Sequence, residues 1–252
     1  MALSPTFAHC EDEVVAVLRD RLEQRLAYAA DDAEAFFDAQ QNARIVAQAE
    51  RYYRAMYYGS AVAWNLRDQH MFDTLEALLS HRGPGAKAVV WAHNSHIGDA
   101  SFTEMGRVRG EHNLGQLCRE RWGPDAVPIG FGTDRGTVAA ASEWGGPMQI
   151  KSVRPAHPGS FEAHCRDSDL PSFFLSLEED QADALRAELR RPLLQRAIGV
   201  IYRPESELAA HYFEAEPAQQ FDAWVWFGET RAVAAAANPT GTHEAATFPF
   251  GV

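Results

Sequence analysis

Residues 88–96 read Ala-Val-Val-Trp-Ala-His-Asn-Ser-His, and the fold class turns on them. Ala88 to Ala92 is an unbroken apolar run, with Gly83-Pro84-Gly85 before it and polar residues after it, the pattern of a strand covered on both faces. A long helical stretch precedes it, and helix followed by buried strand is the rhythm of a parallel-type α/β unit. His93, Asn94, Ser95 and His96 then emerge at the strand's carboxyl end, where open α/β sheets bind their ligands. The expectation is an α/β fold, a mixed sheet with flanking helices plus an N-terminal helical region. Residues 1–85 form the helical region and 86–252 the α/β domain.

Working outward toward the N-terminus, Glu11 to about Tyr58 is rich in Ala, Glu, Gln, Arg and Leu, with Val14, Val17, Leu18, Leu22 and Leu26 at helical spacing. Ala43 to Tyr58 places Ile45, Ala49, Tyr52, Tyr53 and Met56 on one face, read as core packing, and Gly59-Ser60 softens or ends the run. Asn65 is positioned to cap a further helix, with Asp68 three residues on as a capping-box variant and Met71, Leu75 and Leu78 as its buried stripe. His81 and Arg82 fall at the negative end of that helix's dipole, and Gly83-Pro84-Gly85 stops it.

Toward the C-terminus, Asn113–Trp122 reads as a short helix closed by Gly123-Pro124. Val127–Thr133 and Thr137–Ser142 flank Asp134-Arg135-Gly136 as a β-hairpin. Gln149–Val153 and Ser172–Leu177 read as strands, Ser160–Cys165 as a short capped helix and Gln181–Arg190 as a helix. Ala197–Tyr202 and Phe221–Phe227 are β-rich, the second alternating enough to be an antiparallel or edge member.

Composition narrows the function classes. With 252 residues and 46% hydrophobic content the chain can bury a substantial core. Its formal charge of −12 repels phosphate backbones and anionic bilayers, so neither nucleic acid nor membrane is an expected partner. Cys10, Cys118 and Cys165 are odd in number and far apart, which fits neither a disulfide framework nor a metal knuckle. No leader and no apolar stretch of spanning length is read, so a cytoplasmic location is expected.

The chemistry-bearing residues gather around the opening stretch. His93 and His96, three apart on a turn, can face one cavity, and each imidazole can serve as acid or base near neutral pH. Glu104 lies near enough in sequence to orient one of them, and Arg67 can hold an oxyanion or carboxylate if its helix faces the cleft. A His-x-x-His metal site lacks the helical HExxH arrangement, so metal is the weaker reading and no cofactor is expected. GxSxG, GxGxxG and Walker-type loops are absent from the sequence.

The segments NLRDQHM, VVWAHNSHIGDAS, MGRVRGEHNLGQLCRERWG and VPIGFGTDRGTV, then the run from Arg196 to Val233, resemble in order the erythromycin esterase-like family. The distinctive elements are RDxxM, here Arg67 to Met71, and WAHNxH, here Trp91 to His96. The resemblance implies a carboxylic ester hydrolase that activates water with histidine, without an obligatory metal or a covalent serine intermediate; characterised members confer antibiotic resistance by opening macrolide lactones. It implies His93, His96 and Arg67 as site residues; with Glu104 as orienter these are the expected catalytic set, and Asn94, Asp68, Met71 and Trp91 are the expected contacts to a small-molecule ester substrate. In such proteins the general base, a histidine with a glutamate partner, sits in an earlier GExxHGxxE-type motif that nothing in Met1–Ala43 matches, so the resemblance places the principal base outside the residues matched here. The chain therefore resembles the C-terminal portion of the family, and either a homo-oligomer or a companion segment bearing the N-terminal half is compatible with it. The alternative is a catalytically inactive binding or assembly module that retains the fold.

Overall fold

The computed structural model describes residues 32–56, 60–177 and 183–234, together with Val17 and Asp20. The rest of the expected helix over Glu11–Asp31, with Val14, Leu18, Leu22 and Leu26, lies outside the described residues, as do Tyr58 and Gly59. Among the described residues two long helices, α1 (Ala33–Met56) and α2 (Ser60–Arg82), precede the sheet and pack side by side. Asp32 caps α1 by accepting from the Ala35 N–H at 3.0 Å, and α2 stops as expected at Gly83, whose φ of 85° a side chain disfavours.

Several details of this region differ from the sequence reading. Asn65 lies inside α2 and does not cap it: its carboxamide donates to Gly110 O and accepts from the His112 N–H, tying the helix to a loop. The buried positions of α2 are Ala63, Asp68 and Phe72, whereas Leu78 is exposed; on α1, Ile45 and Met56 are exposed as well. Apolar spacing located the helices but misassigned their buried faces.

The four-stranded sheet has the order β2-β1-β6-β3, from β1 (Ile129–Ala140), β2 (Gln149–Val153), β3 (Ser172–Ser176) and β6 (Ala223–Thr230). β1 runs parallel to β6, while β2 and β3 are antiparallel to their neighbours, so the sheet is mixed. A separate pair, β4 (Leu193–Arg196) with β5 (Tyr212–Ala215), is antiparallel. Asn94–Ile97 (α3), Glu104–Arg109 (α4), Leu114–Trp122 (α5), Phe161–Arg166 (α6), Asp183–Leu189 (α7), Glu207–His211 (α8) and Pro217–Gln220 (α9) connect these pieces. Ser160 caps α6 as the sequence indicates, and Asn113, read as the first residue of α5, is its cap.

Three β-segments correct the expectation. Residues 127–142 do not form a hairpin: one strand continues through Asp134-Arg135-Gly136, pairing with β6 over Ile129–Gly136 and with β2 over Gly136–Ala140. Gly136 is the change-over, at φ 127°, where a Cβ would meet the Thr230 carbonyl oxygen at 1.9 Å. The run at Ala197–Tyr202 is displaced, since the ladder lies at Leu193–Arg196 and Ile201 makes just an isolated bridge to Ala141. Phe221–Phe227 yields an interior strand, antiparallel to β3 as expected but not an edge.

The largest correction concerns residues 88–92. They pair in no ladder, and Val89 and Trp91 are 94% and 85% exposed. An apolar run is buried only where neighbouring strands and helices exist to cover it, and none among the described residues does so.

The core sits on β6. Trp224 and Trp226 are fully buried with Phe161, Cys165, Leu177, Leu189 and Phe221. Across the ladder, Gly130 and Gly132 leave room for the Trp224 indole; a Cβ at either would approach that ring to 2.4 Å. A second buried cluster is polar. Arg196 donates to Glu207 Oε1 at 3.2 Å, to Arg154 O at 2.8 Å, to Asp134 O at 2.7 Å and to Thr133 O, and Tyr202 donates to the same glutamate at 2.8 Å. These bonds join the β4–β5 pair to the middle of β1.

Glu162, on α6, lies beside this cluster. Its Oε1 accepts from the Arg196 N–H at 3.0 Å, but its other oxygen is buried without a partner, and burial raises its pKa to about 7 against the opposing bond from Arg196. The native state thus keeps a proton that the unfolded chain releases near 4.5. Stability from this group is full below the unfolded value and is lost as pH rises toward 7. Urea titrations of the wild type should show a decline of roughly 3 kcal/mol across that window from this group. Glu162→Gln should flatten that part of the profile, and an unchanged slope would rule Glu162 out as its source.

Candidate functional site

The RDxxM stretch lies within α2. Trp64, Arg67 and Asp68, at spacings of three and four residues, therefore share one helix face, and that face meets the short helix α3 and the first turn of α5. Asp68 is wholly buried. Both its oxygens lie 2.9 Å from His96 Nδ1, and Oδ2 also accepts the Leu114 N–H at 3.0 Å. Arg67 Nη2 lies 3.0 Å from His96 Nε2, and its Nε is 3.9 Å from the Asp68 carboxylate.

These contacts fix the imidazole's tautomer. A guanidinium only donates, so His96 Nε2 must be the accepting nitrogen; Nδ1 then carries the hydrogen and donates it to the carboxylate. Trp64 stacks on the ring at 4.7 Å between centroids and 7° between planes, and Arg67 Cζ sits 4.9 Å from the Trp64 ring centroid. One indole thus holds both the histidine and the arginine, while its own Nε1 donates to His112 O at 2.9 Å.

His93 is used differently. Its Nδ1 caps α3 by accepting the Ser95 N–H at 3.2 Å, which leaves Nε2 to donate to Ile198 O at 3.0 Å. Although the residue is exposed, desolvation of the ring first, and then the nearby His96, lower its pKa, against the bond to Ile198. Both nitrogens are spent on holding the loop, so neither offers itself to a substrate in this arrangement.

The remaining expected residues scatter. Asn94 pairs its carboxamide with the backbone of Phe131, donating to the carbonyl at 2.6 Å and accepting from the N–H at 3.1 Å. Trp91 lies against the Phe131 ring at 5.5 Å. Glu104 opens α4, and its carboxylate accepts from the Glu214 N–H at 3.4 Å rather than engaging either imidazole. Met71 is half-buried one turn beyond Arg67 on α2. Among the described residues no three His, Cys, Asp or Glu side chains group as metal ligands.

Two participants went unread in the sequence. Trp64 was legible in principle, because helical spacing puts it beside Arg67 and Asp68. Asn113 had been read as the start of a helix; it also donates to Ser95 O at 2.8 Å and Gly98 O at 2.6 Å, clamping the His96 loop against α5.

The fold is mixed α/β, and its candidate site holds a histidine between a buried carboxylate and an arginine. The sequence matches the erythromycin esterase family over residues 2–230, and the chain belongs to that family. Three solved structures are similar in fold. A protein from Bacillus cereus superposes with a TM-score of 0.70 at 18% identity, covering 88% of this chain and 53% of the other. A protein described as a succinoglycan biosynthesis protein gives 0.68 and 18%, with 91% and 52% covered. A histidine-to-asparagine mutant of the erythromycin esterase EreC, in its open conformation, gives 0.59 and 15%, with 90% and 54% covered. The chain thus spans about half the length of each.

The buried carboxylate yields a stability prediction. Asp68→Ala strands the His96 Nδ1–H and the Leu114 N–H and should cost roughly 2–5 kcal/mol in chemical denaturation. In the wild type, nitrogen-15 spectra of the imidazole should show the Nδ1–H tautomer; the opposite tautomer would refute the assigned hydrogen-bond directions.

Proposed function

We propose that this chain hydrolyses carboxylic esters, with macrolide lactones among the candidate substrates, by water activated at His96. The observation that carries the reading is His96 suspended between Asp68 and Arg67, with Nδ1 committed to the carboxylate and the Nε2 lone pair facing the guanidinium. Asp68 orients the ring and stabilises the imidazolium that forms, the part a carboxylate plays beside a catalytic histidine.

In this reading the ester carbonyl draws Arg67 off Nε2, and a water takes its place. The water gives a proton to Nε2 while its oxygen bonds to the carbonyl carbon. The negative charge collects on the carbonyl oxygen, facing the guanidinium. Collapse breaks the bond to the alcohol oxygen, which receives the proton back from His96, leaving acid and alcohol. Met71 and the exposed Trp91 are proposed apolar contacts for the substrate, and His93 and Asn94 are proposed to hold the loop that presents His96.

A second reading, a binding module without turnover, draws on the same geometry, since Arg67 seated on Nε2 denies the base to water. The two readings separate on purified protein assayed with a panel of simple esters and macrolides. Hydrolysis is expected, with His96→Ala lowering kcat by about 10²–10⁴-fold. His93→Ala should mainly lower the melting temperature. Ester binding without turnover would instead support the module, and wild-type hydrolysis by His96→Ala would refute the assignment of the base.

A further inference from the structure

The second face of α2 turns toward α1, and between them lies a groove of about 710 Å³, within the roughly 300–1,000 Å³ typical of small-molecule sites. No residue of the His96 cluster lines it. Arg44, Gln48 and Arg51, at spacings of four and three, form one wall along α1, and His70 and Asp73 face them from α2.

The charges are unevenly satisfied. Arg121 pairs with Glu76 at 2.8 Å, and Asp73 accepts from Gln69 at 2.8 Å. Arg44 and Arg51 have neither ion pair nor hydrogen bond among the described residues. Arg44 lies close enough to His70 for its charge to lower that pKa, after burial and against Asp73. In a chain of net charge −12, two uncommitted guanidiniums one above the other in a concave site favour an anion.

A separate observation narrows the ligand. Gln48, between the two arginines, has a buried carboxamide oxygen with no hydrogen-bond partner. An occupant that brings a donor as well as a negative charge would meet this oxygen as well as the arginines.

We propose that this groove binds a small hydroxylated carboxylic acid, with its carboxylate between Arg44 and Arg51 and a hydroxyl donated to Gln48 Oε1. The side chains concerned span about 10 Å of helix, which suits a molecule the size of a sugar acid.

Calorimetric or NMR titration of the full chain with glucuronate tests this, with glucose and acetate as controls. Glucuronate should bind at least about tenfold more tightly than either control, since glucose lacks the charge and acetate the donor. Arg44→Gln with Arg51→Gln should weaken glucuronate binding by about tenfold or more while circular dichroism stays unchanged. Gln48→Leu should weaken glucuronate but not acetate. His96→Ala should leave binding intact, so failure of the proposed hydrolysis and failure of this site are distinguishable. Equal binding of glucose, unchanged binding in the double variant, or no saturable glucuronate binding would overturn the proposal.

Discussion

A carboxylate with no solvent exposure is costly unless its charge is met by donors, and the arrangement around Asp68 follows from that constraint. The donors come from elsewhere in the chain: the His96 ring on α3 and the Leu114 N–H at the start of α5. Satisfying one side chain of α2 therefore fixes the placement of two other elements. The Leu114 N–H belongs to the first turn of a helix, where backbone donors lack intrahelical partners, so the same contact serves the helix end as well as the charge. Stability and site geometry are here one arrangement.

The consequence for chemistry is directional. With Nδ1 tied to Asp68, whatever His96 does with a proton it does at Nε2, and Arg67 governs access to that nitrogen. The guanidinium seated there occupies the ring's lone pair, whereas the Asp68 carboxylate orients the ring from the other side. His93, three residues earlier, has no such freedom, because a backbone N–H and a backbone carbonyl fill its two nitrogens.

Much of this was legible in the sequence, for reasons that differ by element. Local signals held where the physics is local: Gly83 stops α2, Asn113 caps α5 and Ser160 caps α6. The motifs RDxxM and WAHNxH pointed to Arg67, Asp68 and His96, which the structure brings together. Readings failed where the outcome depends on distant partners. Asp134-Arg135-Gly136 looks like a turn, yet it stays extended because Thr230 approaches Gly136 and the buried Arg196 grips the carbonyls of Thr133 and Asp134. Asn65 looks like a cap, but its carboxamide is taken by the backbone of Gly110 and His112. Pairing two histidines by their spacing gave them equal weight, and only the partners around each ring distinguish them.

The segment that first suggested the fold also shows how the site depends on the sheet. Residues 88–92 end at the His93–His96 turn, and Asn94 within that turn covers the backbone of Phe131 with both ends of its carboxamide, in the manner of a neighbouring strand. Over Ile129–Arg135, β1 has β6 on one side and, among the described residues, no ladder on the other, because β2 begins pairing at Gly136. Asn94 therefore occupies part of an edge that a strand would otherwise use. Any strand pairing at Phe131 would have to displace that carboxamide first, and His96 lies two residues further on. The edge of the sheet and the position of the imidazole are linked through this single side chain, so the orientation of His96 answers both to the carboxylate behind it and to what lies along β1.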